Sequence, residues 1–267
     1  MFIMTTTGHG RSSYDRADTA EPFFSISKLL GLSSFVFVGT QRPRSRLSEF
    51  KSSIPRGVLL RTGAHDAFGF PHLDRTGGGR PGIFSVLAFL KEHVEVRIAN
   101  AEWPAYLDIM TQTGTQWSVV PSNEENGFHP SNAAYFDREG LDSETHLLPV
   151  ISNPGNPTGH TRVDAELEEL MAMAEQSKSG ILLDEAYEMF HHSKGVSGIR
   201  YVKDLDNSNV FLTGACTKGL QCPGIRIGWI IASKHNIEVL SNFSSFGMGG
   251  VSPPSQLYAA ELLEPGR

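Results

Sequence analysis

Four polar residues stand at the ends of apolar runs, where a buried strand delivers its next side chain to a crevice: Asn156, Asp184, Lys218 and Arg226, separated by 28, 34 and 8 residues. Asn156 lies in Asn153–Gly159, NPGNPTG, whose prolines and glycines fix a turn while the Asn156 amide offers donors to a ligand. Asp184 opens the string Asp184-Glu185-Ala186-Tyr187. A carboxylate at that point can pair with a buried cation, and the Tyr187 phenol can donate to an oxyanion. Lys218 follows Thr217 in a Gly/Thr-rich loop shortly before Arg226, the pattern of an amine nucleophile beside an anion site. Taken singly, each string has a plainer use as a tight turn, a helix cap or a solvated loop lysine. Their order along the chain is what gives them weight, because ligands of open α/β sheets bind off the carboxyl ends of strands.

The elements that position these residues are legible in the second half of the chain. Leu147–Ser152 is a compact apolar run suited to a strand buried on both faces. A helix follows from Asp164 to Ser177, with Leu167, Leu170, Met171 and Ala174 on one face and acidic residues near its start. Ile181–Asp184 is the next strand, completing a βαβ unit, and Val210–Thr213 and Ile227–Ala232 continue the series. A closing helix is expected at Ser255–Leu263. Upstream, the spacing of Val86, Leu87 and Leu90 predicts a helix over Ile83–His93, followed by a strand at Val94–Ile98. A helical stretch at Leu107–Met110, a strand at Gln116–Val120 and a polar loop at Glu124–Phe128 complete that half. Phe35–Val38 and Val58–Leu60 read as short strands in a segment, Glu21 to about Arg75, without a clear period. The fold class expected is α/β: three layers, with a mostly parallel sheet flanked by helices.

Composition narrows the classes of function. Of 267 residues, 39% are hydrophobic and 19% charged, the balance of a folded globular chain rather than a disordered one. Twenty-three basic residues against 29 acidic ones give a net charge of −6, which recommends no nucleic-acid partner. No apolar run is long enough for a membrane span, and the first twenty residues lack the pattern of a secretory signal. Two cysteines, Cys216 and Cys222, make no disulfide framework and point to a reducing compartment, so a cytoplasmic location is expected. The ten histidines, including His191-His192, show no spacing with Cys or carboxylates that reads as a metal site, and no P-loop or Ser-His-Asp arrangement is present.

Together, NPGNPTG, DEAY and the Thr217-Lys218 to Arg226-Ile227-Gly228-Trp229 string resemble the class I/II aminotransferases, the fold-type-I pyridoxal-phosphate enzymes. The resemblance runs from about Ala99 to Glu264. It implies a pyridoxal 5'-phosphate cofactor held through a Schiff base on Lys218, and amino transfer between an amino acid and a 2-oxo acid. It gives Asp184 the pyridine nitrogen, Asn156 and Tyr187 the ring oxygen, Arg226 and Thr217 the phosphate, and Trp103 a stacking place on the ring. For Trp103 a core role is an equal alternative. A lyase or decarboxylase on the same fold, or a catalytically silent homologue, are the other readings. The family habit also implies a homodimer.

Two departures from the family pattern shape the expectations. Members carry a small-residue turn and a phosphate-binding helix before the strand that leads to the stacking aromatic. In this chain Val94 follows His93 directly, and Gly77-Gly78-Gly79 lies on the far side of a helix, so that anchor is expected to be missing. Ala215 stands where many members have a phosphate-binding Ser. Residues 76–267 are therefore expected to form an incomplete large domain after a poorly defined 1–75 segment, with the small C-terminal domain absent and the cofactor weakly held.

Overall fold

The computed structural model of the chain describes residues 72–190 and 197–263. The strands expected at Phe35–Val38 and Val58–Leu60, and the His191-His192 pair, lie outside the described residues. The described part is a seven-stranded sheet with helices on both faces. In chain order its strands are β1 (Leu73–Thr76), β2 (Val94–Ala99), β3 (Trp117–Val120), β4 (His146–Ser152), β5 (Ile181–Asp184), β6 (Val210–Ala215) and β7 (Gly228–Ile231). Across the sheet they run β1-β7-β6-β5-β4-β2-β3. Strand β7 is antiparallel to both of its neighbours, and every other pairing is parallel.

Residues of the central strands are buried on both faces, which is why they read as unbroken apolar runs rather than alternations. Successive side chains still divide between the faces. Ile151, Leu183 and Leu212 join one core with Leu167, Leu170 and Met171 of α4 (Asp164–Ala174). Val150, Leu182 and Phe211 join the other. There they pack with Ile83, Val86 and Leu87 of α1 (Gly79–Leu90) and with Tyr106, Ile109 and Met110 of α2 (Ala105–Thr113). Ile237 and Leu240 of α6 (Lys234–Met248) close that second face. Short helices at Asn132–Tyr135 (α3) and Cys216–Gly219 (α5) and a last helix, Pro253–Leu263 (α7), complete the described elements.

The expected α/β architecture is the observed one, and so is the βαβ unit β4–α4–β5. Two short helices were not expected, α3 where no element was read and α5 where the sequence reads as a Gly/Thr-rich loop, and three further elements differ. Helix α1 begins at Gly79, four residues before the predicted Ile83. Pro81 sits in its first turn, where N–H groups have no intrahelical acceptor, so proline costs no hydrogen bond there. Strand β1 lies in the stretch that shows no period, because four residues are too few to display one. Helix α6 escaped prediction altogether, although Ser233 caps it in the usual way by accepting a hydrogen bond from the Asn236 N–H.

Candidate active site

The carboxyl ends of β4, β5 and β6 open onto a cavity of about 400 Å³. All seven residues singled out in the sequence line it: Trp103, Asn156, Asp184, Tyr187, Thr217, Lys218 and Arg226. The sheet explains the convergence. Three parallel strands release their next residues at one edge, and the NPGNPTG turn, the DEAY string and α5 begin there. Strand alternation also separates Asp184 from its neighbour Glu185. Asp184 faces the cavity, while the Glu185 carboxylate accepts hydrogen bonds from Ser197 Oγ at 2.9 Å and Gly198 N at 2.7 Å.

Asp184 is buried, with 6% of its surface exposed. Its Oδ2 accepts the Tyr106 hydroxyl at 2.7 Å and its Oδ1 accepts the Ala186 N–H at 3.0 Å. Burial raises its pKa, and these two donors oppose the rise by favouring the charged form. Tyr106 meets Trp103 edge-on, with ring centroids 5.2 Å apart, so the Trp103-Pro104-Ala105-Tyr106 turn supports both the carboxylate and one wall. Trp103 also packs against the second core, so wall and core roles coexist in it.

Lys218 is exposed on the cavity wall, with Nζ 5.5 Å from the centre of the Tyr187 ring. Arg226 carries a left-handed backbone, φ 52°, which is costly for a residue with a side chain and directs it back toward the glycine turn. Its Nη2 would lie 2.7 Å from any Cβ added at Gly78, whose φ of 117° also requires glycine. A Cβ at Gly228 would lie 2.6 Å from the Gly78 carbonyl carbon and 2.8 Å from the Gly79 nitrogen, so the two backbones meet only because residue 228 is glycine.

This contact corrects one expectation. The helix N-terminus thought to be missing is that of α1: Gly79 and Arg80 line the cavity beside Ala215, Thr217 and Arg226. Gly77 and Gly78 precede α1 and Gly79 opens it, so the glycine run lies at the start of this helix, on the cavity side. It was misread because that helix was expected to begin at Ile83 and the strand before it, β1, showed no pattern. No side chain caps α1, which leaves its first N–H groups to a ligand. Arg80 adds a second cation, stacked 5.0 Å over Trp103.

Sequence reasoning also missed Tyr106, Ser152 and Glu102. The Glu102 carboxylate accepts Ser152 Oγ at 2.9 Å, and the same Oγ accepts the Asn156 N–H at 2.8 Å, so Glu102 braces the turn that carries Asn156. Glu102 is partly exposed as a residue, but its carboxyl lies against the buried Ser152. Desolvation there pushes its pKa to about 7, against the lowering effects of Ser152 and Arg162. A glutamate directly before the aromatic of a strand-end turn was the available signal.

Fold and cavity define a doubly covered α/β protein with an amine, a buried carboxylate, two arginines and an uncapped helix N-terminus at the carboxyl edge of its sheet. The chain belongs to the family described as aminotransferase class I and II, which matches residues 76–266. It is 27% identical over 192 residues to an aspartate aminotransferase of Pyrococcus horikoshii, covering 70% of this chain and 47% of that one. It is 29% identical over 233 residues to 1-aminocyclopropane-1-carboxylate synthase 4 of Arabidopsis thaliana, covering 81% of this chain and 48% of the relative. Among solved structures, an aromatic aminotransferase from Pyrococcus horikoshii superposes with a TM-score of 0.69 at 22% identity, over 82% of this chain and 58% of that one. The chain thus spans about half the length of the curated relatives it matches. Among the described residues no helix is long and apolar enough to cross a membrane.

Proposed function

We propose that this chain is a pyridoxal-phosphate-dependent aminotransferase that moves an amino group between an amino acid and a 2-oxo acid. The observation that carries this reading is the convergence of Lys218, Asp184 and Arg226 with the uncapped N-terminus of α1 in one cavity. The donor set fits the cofactor. The glycine cradle at Gly78, beside the cation of Arg226, suits a phosphate, and the buried Asp184 carboxylate suits a protonated ring nitrogen.

In this reading Arg226, Thr217 and the first amides of α1 hold the phosphate, with Arg80 adding positive charge. Asp184, oriented by Tyr106 and Ala186, holds a proton at the ring nitrogen. Asn156 and Tyr187 would donate to the ring oxygen, and Trp103 would wall the ring. Lys218 Nζ would be the point of covalent attachment and the base that carries the substrate Cα proton. When bound, pyridoxal phosphate supplies the electron sink that makes that proton removable. The reading extends to a homodimer in the cytoplasm, where the free Cys216 and Cys222 stay reduced.

A different reaction on the same fold has the 1-aminocyclopropane-1-carboxylate synthases among the relatives in its favour. One assay separates the readings. The full chain is incubated with pyridoxal phosphate, an amino acid and a 2-oxo acid, and the new amino acid is detected by chromatography. Amino transfer by the wild type and none by Lys218→Ala supports the aminotransferase. Loss of the amino acid without transfer supports the lyase or decarboxylase alternative, and cofactor binding without any chemistry supports a silent homologue.

A further inference from the structure

Outside the cavity, one cluster of side chains among the described residues has the composition of a metal site. His129, His160 and Glu166 each offer one ligand atom, and the three atoms lie within 4.8 Å of one another. The two imidazoles are stacked with centroids 3.3 Å apart and planes at 29°, so their Nε2 atoms reach the same carboxylate. His129 Nε2 lies 2.6 Å from Glu166 Oε1 and His160 Nε2 lies 3.7 Å from Glu166 Oε2. The first is a hydrogen bond; the second is too long to be one. Sequence spacing could not disclose this cluster, because His129 comes from the loop after β3, His160 from the turn after NPGNPTG, and Glu166 from the first turn of α4.

We propose that His129, His160 and Glu166 form a binding site for a divalent cation of the zinc class. Two imidazoles and one carboxylate are the donors such an ion prefers, and three protein ligands leave a fourth position for water. Ligand bonds of about 2.0–2.2 Å put tetrahedral donors roughly 3.3 Å apart. To reach that geometry the 2.6 Å His129–Glu166 contact opens, and the two rings, stacked with centroids 3.3 Å apart, swing to about 5 Å so that both Nε2 atoms aim at one ion; the His160 side chain, 39% exposed, has room to turn. Binding replaces the His129–Glu166 hydrogen bond: the single N–H of the neutral imidazole moves to Nδ1 and Nε2 turns its lone pair to the ion. A polar cavity of about 10 Å³ lined by His129, His160 and Thr158 lies alongside, roughly the space one water occupies.

Arg162 is the opposing charge, with Nε 3.8 Å from Glu166 Oε1. Its guanidinium is committed elsewhere, to Asn132 Oδ1 at 3.0 Å and the Pro130 carbonyl at 3.0 Å, and it lies over the Tyr135 ring. It therefore weakens the site without occupying the ligand positions. The ion would act as a clip. His160 closes the turn that carries Asn156, since its carbonyl accepts the Gly155 N–H at 2.7 Å, and the ion would tie that turn to α4 and to the His129 loop.

The test is calorimetric titration of the metal-stripped full chain with Zn2+, repeated with Co2+ while recording its visible absorption, on wild type, His160→Ala, Glu166→Gln and the control His235→Ala. His160 is partly exposed and His235 is exposed, so neither substitution threatens the core. The expected result is one ion per chain, a zinc-induced rise in Tm, and affinity at least about tenfold weaker in His160→Ala and Glu166→Gln, with His235→Ala unchanged. Absence of saturable one-to-one binding, or equal affinity in wild type and His160→Ala, would overturn the site.

Discussion

The Glu102 carboxyl gives a prediction whose size can be worked from the structure. An acid with a folded pKa above its unfolded value holds its proton more tightly in the native state, so its ionisation at higher pH favours unfolding. For Glu102 the window runs from 4.5 to about 7, and stability is lost as pH rises through it. At about 1.4 kcal/mol per pH unit the full effect is up to about 3 kcal/mol. Glu102→Gln keeps an acceptor for Ser152 Oγ but carries no charge at any pH. Relative to wild type, the variant should gain up to about 3 kcal/mol between pH 4 and pH 8. Asp184 and Glu185 are also raised by burial, but both are present in each protein and cancel in the difference. Urea denaturation followed by tryptophan fluorescence at several pH values measures it. A variant whose stability tracks that of the wild type across the whole range would refute the placement of this carboxyl.

Arg226→Met should weaken pyridoxal phosphate binding by about ten- to a hundredfold, from charge-assisted hydrogen bonds of about 1.5–3 kcal/mol, while leaving pyridoxal, which lacks the phosphate, unaffected; spectroscopic titration with both compounds checks this. Gly78→Ala should cost about 1–3 kcal/mol in thermal or chemical denaturation, because φ is 117° and the new Cβ meets Arg226 Nη2. It should also weaken phosphate affinity by displacing that guanidinium. Leu212→Ala, at a site fully buried in the first core, should cost about 2–5 kcal/mol in the same measurement with no specific effect on the cavity.

Legibility followed physical signal strength. Strands β4, β5 and β6 announced themselves because burial on both faces demands continuous apolar runs, and the strand ends then located Asn156, Asp184 and Lys218. Helix α4 was readable from one apolar stripe and its acidic first turn. The start of α1 was not, since a run of glycines followed by Arg-Pro-Gly carries breaker chemistry whether it forms a loop or an uncapped helix N-terminus. Only the meeting of Gly78 with Arg226 and Gly228 distinguishes the two. Tyr106 was hidden for another reason: the sequence starts the helical stretch only at Leu107, and the hydrogen bond from Tyr106 to Asp184 spans 78 residues. The His129–His160–Glu166 cluster is likewise a product of tertiary structure alone.

The central claim is that this cavity seats pyridoxal phosphate with Lys218 as the attachment point. Borohydride reduction of the full chain after incubation with pyridoxal phosphate, followed by peptide mapping, tests it most directly. The account predicts a single modified peptide containing Lys218, lost in Lys218→Ala and reduced in Arg226→Met. Modification centred on another lysine, or spread evenly over several, would contradict it.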